Sequence, residues 1–135
     1  MTDLALLIDA AREAGALALD YQARGLTVEA KADRSPVTDG DFAVNALLKK
    51  RLLGARPDYG WLSEETADAR HRLDCRRIFV VDPIDGTRAF LNGRPWWSVA
   101  IAVVEDGQAV AGVVFAPETG ETYAAMAGQG ATRNG

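Results

Sequence analysis

"IFVVDPIDGTRAF", residues 78–90, decides how this chain is read. An apolar run, Ile78 to Val81, leads straight into Asp82, and a second aspartate, Asp85, stands at the far side of Pro83-Ile84. A short apolar run bounded by turn residues reads as a strand leaving a core. Pro83 fixes its own φ, so the two acids are held on a stiff turn, and Gly86 frees the backbone just beyond them. Asp-Pro and Asp-Gly are also ordinary turn dipeptides, and taken alone they need be nothing more.

Downstream of this stretch, "WSVAIAVVED", "QAVAGVVFA" and "ETYAAM" are successive strand candidates, and Asp106-Gly107 is a hairpin turn between the first two. Upstream the period changes. Leu4, Leu7, Ile8, Ala11, Ala14, Ala18 and Tyr21 recur at helical spacing over residues 3–24, with Thr2 as cap and Gly25 as stop. A second helix is expected from about Asp39 to Leu53, with Val44, Leu47, Leu48 and Leu52 on one face. Lys49, Lys50 and Arg51 complement its C-terminal dipole, and Gly54 and Pro57 end it. Residues 28–41 read as a polar, turn-rich connection, "DYGWLSEET" as a short extended piece, and "ADARHRLDCRR" as a charged surface segment. The expected fold class is therefore α+β: two helices packed on an antiparallel β-sheet.

The 135 residues are enough for one domain with a real core. At 48% hydrophobic and 25% charged, with a net charge of −4, the chain reads as soluble and globular, without the basic face a nucleic-acid polymer requires. The lone Cys75 allows no internal disulfide and fits a reducing cytoplasm. The N-terminus lacks the basic region of a signal peptide, and no apolar run reaches the length of a membrane span.

Several chemistries drop out. One His and one Cys cannot build a Cys/His zinc cluster, and His71 among charges reads as a surface residue. The residue six after Cys75 is Val81, where a cysteine phosphatase would need arginine, and no phosphate-binding G-x-x-x-x-G-K-[ST] loop occurs. Counting back from Gly86 puts Pro83 and Val81 at ligand places, so the stretch is not a calcium-binding EF-hand loop. The spacing is also one residue too long for the D-x-D-G-T of haloacid-dehalogenase phosphatases, since Pro83 holds the nucleophile place two before Asp85.

What remains is an accumulation of acids. Glu64-Glu65 end one short apolar stretch, Asp39 and Asp41 open the second helix, and Asp82 and Asp85 end the strand. Crowded carboxylates repel unless a cation neutralises them, and Mg²⁺ suits a few carboxylates, a free carbonyl such as that of Ile84, waters and phosphate oxygens. Gly86 and Thr87 add a close backbone approach and a hydroxyl. The chemistry expected is metal-assisted hydrolysis of a phosphate ester, with no covalent intermediate.

At this point the residues resemble the inositol monophosphatase family of Mg²⁺-dependent, lithium-sensitive phosphatases. "VVDPIDGTRAF" is similar to its D-P-[ILMV]-D-G-[ST]-x-x-[FY] signature at every position, with Phe90 as the aromatic. "WLSEET" resembles its G-E-E segment, with Ser63 where glycine is commoner, and "KADRSPVTDGD" its K-x-x-x-S-P-V-T-x-x-D segment. "AGVVFAPETGETYAAMAGQGATRNG" resembles its paired strands and G-x-G-A-x-x-N-G ending. The resemblance implies that Glu64, Asp82, the Ile84 carbonyl and Asp85 bind metal, and that Asp41 helps hold a further ion, for two or three Mg²⁺ in the complete enzyme. It implies that Glu64 and Thr87, supported by Asp41, orient the attacking water. It also implies that Asp85, Gly86, Thr87 and Arg88 meet the substrate, with Glu65 and Lys31 beside the site.

The implied substrate is a small phosphorylated molecule: inositol monophosphate or adenosine 3′,5′-bisphosphate, with fructose bisphosphate and histidinol phosphate also in the family's range. Arg88 stands where inositol-type members often have a second Thr, and a cation there suits a doubly phosphorylated ligand, as in bacterial 3′(2′),5′-bisphosphate nucleotidase-like members. Arg88 as a solvated helix residue is the other reading. Trp96-Trp97 reads as packing or as a dimer surface. Family chains are about twice this long, so residues 1–135 are expected to form the N-terminal domain, with the C-terminal α/β domain absent from this chain. The rival expectation is a half-domain that only binds metal or phosphate, or that associates with other copies through its uncovered strand faces.

Overall fold

The computed structural model describes residues 1–135. Helix α1 runs over Asp3–Arg24, as the periodicity predicts. Thr2 caps it by accepting a hydrogen bond from the Ala5 amide, and Gly25 ends it at φ 96°. Its buried face is Leu6, Leu7, Ala10, Ala11, Ala14, Gly15 and Ala18. This differs from the expected face: Leu6 and Ala10 are buried, whereas Leu4, Ile8 and Tyr21 lie at its margins. Small residues dominate because α1 lies close against the sheet. A Cβ on Gly15 would stand 2.5 Å from the Phe115 ring and 2.9 Å from Pro117.

A small hairpin follows, β1 (Val28–Ala30) paired antiparallel with β2 (Pro36–Thr38), within the segment expected to be turn-rich. Helix α2 covers Asp39–Ala55 and buries Val44, Leu48 and Leu52 as expected. It runs two residues longer than expected. Gly54 lies inside it, Arg56 N donates to Leu52 O, and the cations Lys49–Arg51 fall short of its last turn. The stop comes from Pro57, which disfavours the helical conformation in the residue before it.

The remaining strands are β3 (Gly60–Ser63), β4 (Arg77–Asp85), β5 (Ser98–Glu105), β6 (Gln108–Ala116), β7 (Glu121–Met126) and β8 (Ala131–Arg133), joined side by side in that order. All neighbours pair antiparallel except β3 and β4, which run parallel. The sheet is thus mixed, with one pair departing from the antiparallel expectation. Parallel strands need a crossover, and residues 64–76 provide it, with a 3₁₀ turn at Arg70–Asp74. The β5–β6 hairpin turns at Asp106 (φ 49°) and Gly107 (φ 80°), the paired positive φ that a two-residue turn of matching twist requires.

Both long helices pack on one face of the sheet, α1 against β5, β6 and β7 and α2 against β4. Phe79, Val81, Val99, Ile101, Val103, Ala111 and Val113 meet them there. Alternate residues such as Val80, Ala100, Ala102, Val114 and Tyr123 line a shallow recess of about 500 Å³ on the other face, where no helix lies.

The short helix α3 (Thr87–Leu91) follows β4. Gly86 joins them at φ 88°, and a Cβ there would lie 2.7 Å from the Trp96 carbonyl oxygen. Phe90 and Trp97 are buried edge to face, ring centroids 4.7 Å apart, while Trp96 is 73% exposed. Of the tryptophan pair, one packs and one faces solvent.

Gly15 in α1 and Gly54 in α2 make opposite predictions. Gly54 has open space around its missing Cβ. Gly54→Ala should stabilise by about 0.5–1 kcal/mol. Gly15→Ala should destabilise despite its better helix propensity, because overpacking of this kind costs about 1–3 kcal/mol. Urea unfolding of the two variants measures both; a gain at both positions would place α1 farther from Phe115 than described.

Candidate active site

The pairing of β4 with β5 changes register at the start of the Asp-Pro-Ile-Asp stretch. Asp82 stands opposite Ala100, yet Asp85 stands opposite Ser98. One extra residue has been inserted in β4, a β-bulge. Pro83 has no N–H to offer the ladder, which makes this the natural place for the break. The consequence is visible in the burial pattern. Pro83 and Ile84, adjacent in sequence, are both buried, and the aspartates on either side are both exposed.

The bulge delivers Asp82 and the Ile84 backbone to a cleft of about 310 Å³. The cleft is lined also by Lys31, Ser35, Asp41, Glu64, Glu65, Gly86, Thr87 and Arg88. Of the residues expected at a site, Asp41, Glu64, Glu65, Asp82, Ile84, Gly86, Thr87, Arg88 and Lys31 therefore meet. Asp85 lies outside the cleft wall, though near enough to act on Asp82 by charge.

Asp41 is 2% exposed and belongs to α2. It forms a reciprocal cap with Thr38: Thr38 N (2.9 Å) and Thr38 Oγ1 (2.6 Å) donate to Asp41 Oδ2, and Asp41 N donates back to Thr38 Oγ1. The T-x-x-D spacing of this capping box was present in the sequence, and Thr38 was not singled out there. The other oxygen, Oδ1, accepts from Thr87 Oγ1 at 3.0 Å. The Thr87 hydroxyl also lies 3.3 Å from the Ile84 carbonyl. It has one proton to give, and the nearer, charged acceptor is the stronger one.

Glu64 and Glu65 differ sharply. The Glu65 side chain is 4% exposed and lies 2.5 Å from Lys31 Nζ. The Glu64 side chain is 83% exposed, with Lys31 at 3.5 Å. Hydrogen bonding to Glu65 raises the Lys31 pKa, against a smaller opposing effect of burial. Lys31 is thus committed to this acidic pair. Arg88, the other cation of the cleft, forms no ion pair.

Asp82 has no cationic partner either. Burial, and after it the charges of Asp85, Glu64, Glu65 and Asp41, push its pKa up to about 6. Its carboxyl still reaches solvent, so surrounding protein crowds it without enclosing it. No three acidic, His or Cys side chains converge as a ready-made ligand cluster. The donor set is nonetheless all oxygen and under mutual repulsion. That fits a hard divalent cation such as Mg²⁺, which takes one or two carboxylates and keeps several waters. Asp82, Glu64 and the Ile84 carbonyl are the oxygens of the cleft free to hold it, with Asp85 at the rim.

The model of the inositol monophosphatase family matches residues 2–135. The chain is 40% identical, over 98% of its length, to a histidinol-phosphatase of Chlorobaculum parvum, covering 51% of that protein. It is 37% identical, over 95% of its length, to a 3′(2′),5′-bisphosphate nucleotidase of Aggregatibacter actinomycetemcomitans, covering 48% of it. It superposes on the solved Thermotoga maritima IMPase with a TM-score of 0.91 at 33% identity, over 100% of this chain and 52% of that one. The chain spans about half the length of the curated relatives it matches. With a family model matching almost every residue and relatives of this identity, the chain belongs to the inositol monophosphatase family.

Proposed function

We propose that this chain is the N-terminal half of a Mg²⁺-dependent phosphate monoester hydrolase. The observation that carries the reading is the meeting of Asp41, Glu64, Glu65 and Asp82 in one cleft beside a Thr87 hydroxyl already bonded to Asp41. Asp82, Glu64, Asp85 and the Ile84 carbonyl would hold the cation, which would supply Lewis-acid polarisation of a phosphoryl oxygen and a lowered pKa for water. The chain's own groups do the rest. Thr87 Oγ donates to Asp41, so its lone pairs face outward to accept a proton from water. As that proton arrives, the Thr87 proton shifts across its 3.0 Å hydrogen bond to Asp41 Oδ1. Glu64, exposed at the cleft, orients the same water. Gly86, with no Cβ, lets phosphate approach the backbone.

The proposed substrate is a small phosphorylated molecule, inositol monophosphate or adenosine 3′,5′-bisphosphate. The unpaired Arg88 favours the second, since a guanidinium fork matches a further phosphate bidentately. A C-terminal α/β domain would complete the ligand set and cover the open sheet face. The exposed Val114, Tyr123 and Trp96 favour association, with such a domain or between copies.

Phosphate release from inositol 1-phosphate, adenosine 3′,5′-bisphosphate and histidinol phosphate tests the reaction in the whole protein. Hydrolysis of one of these should require Mg²⁺ and vanish with EDTA; turnover persisting in EDTA would refute the mechanism. Asp85→Asn should weaken Mg²⁺ binding at least tenfold, the scale for a lost charged ligand partner. Asp106→Asn, on the distant hairpin, should leave it within twofold, and equal effects in calorimetry would count against the site.

The acid crowding also fixes a pH dependence. Asp82 binds its proton more tightly folded than unfolded, so metal-free protein loses stability as pH rises from about 4 to about 6. Cation and proton compete for the same carboxylate, so Mg²⁺ affinity should rise as pH passes 6. Carboxyl carbon NMR should follow Asp82 titrating near 6 without Mg²⁺ and lower with it. An Asp82 titration that Mg²⁺ leaves unmoved would remove it from the ligand set.

A further inference from the structure

α2 places two polar side chains on its buried face: Asp41, and one turn later Asn45, which is 7% exposed. Asn45 does not line the cleft. A buried amide left unpaired costs about 1–3 kcal/mol, so its partners indicate its purpose. Asn45 Oδ1 accepts from Ser63 Oγ at 2.6 Å, and Asn45 Nδ2 donates to Thr66 Oγ1 at 2.8 Å. Ser63 Oγ in turn accepts from the Glu65 amide at 3.3 Å, and Thr66 Oγ1 accepts from Trp61 Nε1 at 3.2 Å. Thr66 N closes the turn onto Ser63 O at 3.2 Å.

The turn Ser63-Glu64-Glu65-Thr66 is therefore held at both ends by one amide, and the two acids lie between the held ends. The helix that supplies this amide also carries Asp41. We propose that Asn45, with Ser63 and Thr66, is a positioning clamp that sets the acidic turn against Asp41 and Asp82, and thereby sets the affinity of the cleft for a divalent cation. The proposal rests on reading the cleft as a divalent-cation site. The clamp fixes the backbone and leaves the exposed Glu64 carboxylate free to swing onto the ion. A merely structural amide would lower stability and leave the cation affinity of the folded protein alone.

The test uses Asn45→Ala, Thr66→Val, Thr66→Ser and Ser63→Gly in the whole protein, with Glu64→Gln to set the scale. Mg²⁺ affinity is measured by calorimetry on folded protein, alongside Tm and hydrogen exchange at the Glu65 amide. Asn45→Ala and Thr66→Val should weaken Mg²⁺ binding about 10- to 100-fold, the range for groups that orient a metal ligand. Thr66→Ser, which keeps the hydroxyl, should restore it, and Thr66→Val and Ser63→Gly should speed exchange at Glu65. If Asn45→Ala fails to fold, the Thr66 pair and Ser63→Gly carry the test. If Glu64→Gln weakens Mg²⁺ binding while the clamp variants stay within twofold of wild type, the clamp is overturned and the cation site stands. If Glu64→Gln has no effect, the cation reading falls. The positioning role then stands on accelerated exchange at Glu65 in Thr66→Val and Ser63→Gly, and unchanged exchange overturns it.

Discussion

The one extra residue in β4 governs the geometry of everything around it. A regular strand sends residues three apart to opposite faces, so an unbroken β4 would have buried one of its two aspartates among the helices. The bulge absorbs the mismatch by turning both Pro83 and Ile84 inward, and both carboxylates stay out. Gly86 then turns the chain at positive φ within 2.7 Å, measured from its missing Cβ, of the Trp96 carbonyl. That close approach seats α3, and Thr87 lands beside Asp41. Any side chain at Gly86 would push α3 away and separate the hydroxyl from its carboxylate.

The electrostatics of the cleft follow from an imbalance. Four acids line it, one cation is committed to two of them, and the remaining cation pairs with none. Asp41 is reconciled to burial by Thr38 and Thr87, and Glu65 by Lys31. Asp82 has no such partner and responds by holding its proton to about pH 6. A carboxylate in that condition gains most from a positive ion, since ionisation and binding then support each other. The acids crowd one another in the cleft, yet no three of them converge as a ready-made ligand cluster.

α2 is the frame that unites these parts. Its first turn caps with Thr38 and presents Asp41, its second turn clamps the Glu64-Glu65 turn through Asn45, and its remaining turns bury Val44, Leu48 and Leu52. Packing of α2 on β4 therefore fixes acids from three separate segments in one operation. Polar groups buried at the end of a packed helix face need partners, and Thr38, Asp41 and Asn45 each have them.

The sequence by itself determined the two long helices, the strands β4 to β7 and the types of residue that the cleft would need. Helical and strand periods are local, and Asp106-Gly107 or the T-x-x-D of Thr38 and Asp41 act within a few residues of themselves. The family signature around Asp82 and Asp85 was equally local. Only the tertiary structure decided the parallel pairing of β3 with β4, the bulge register and the inward turn of Ile84, because each depends on a partner strand far away in the chain. It alone joined Lys31 to Glu65 and Asn45 to Ser63 and Thr66, contacts in which neither residue carries a mark of the other. It also separated Glu64 from Glu65, one at the surface and one buried, since burial belongs to the packed assembly of segments and not to either residue's neighbours in sequence.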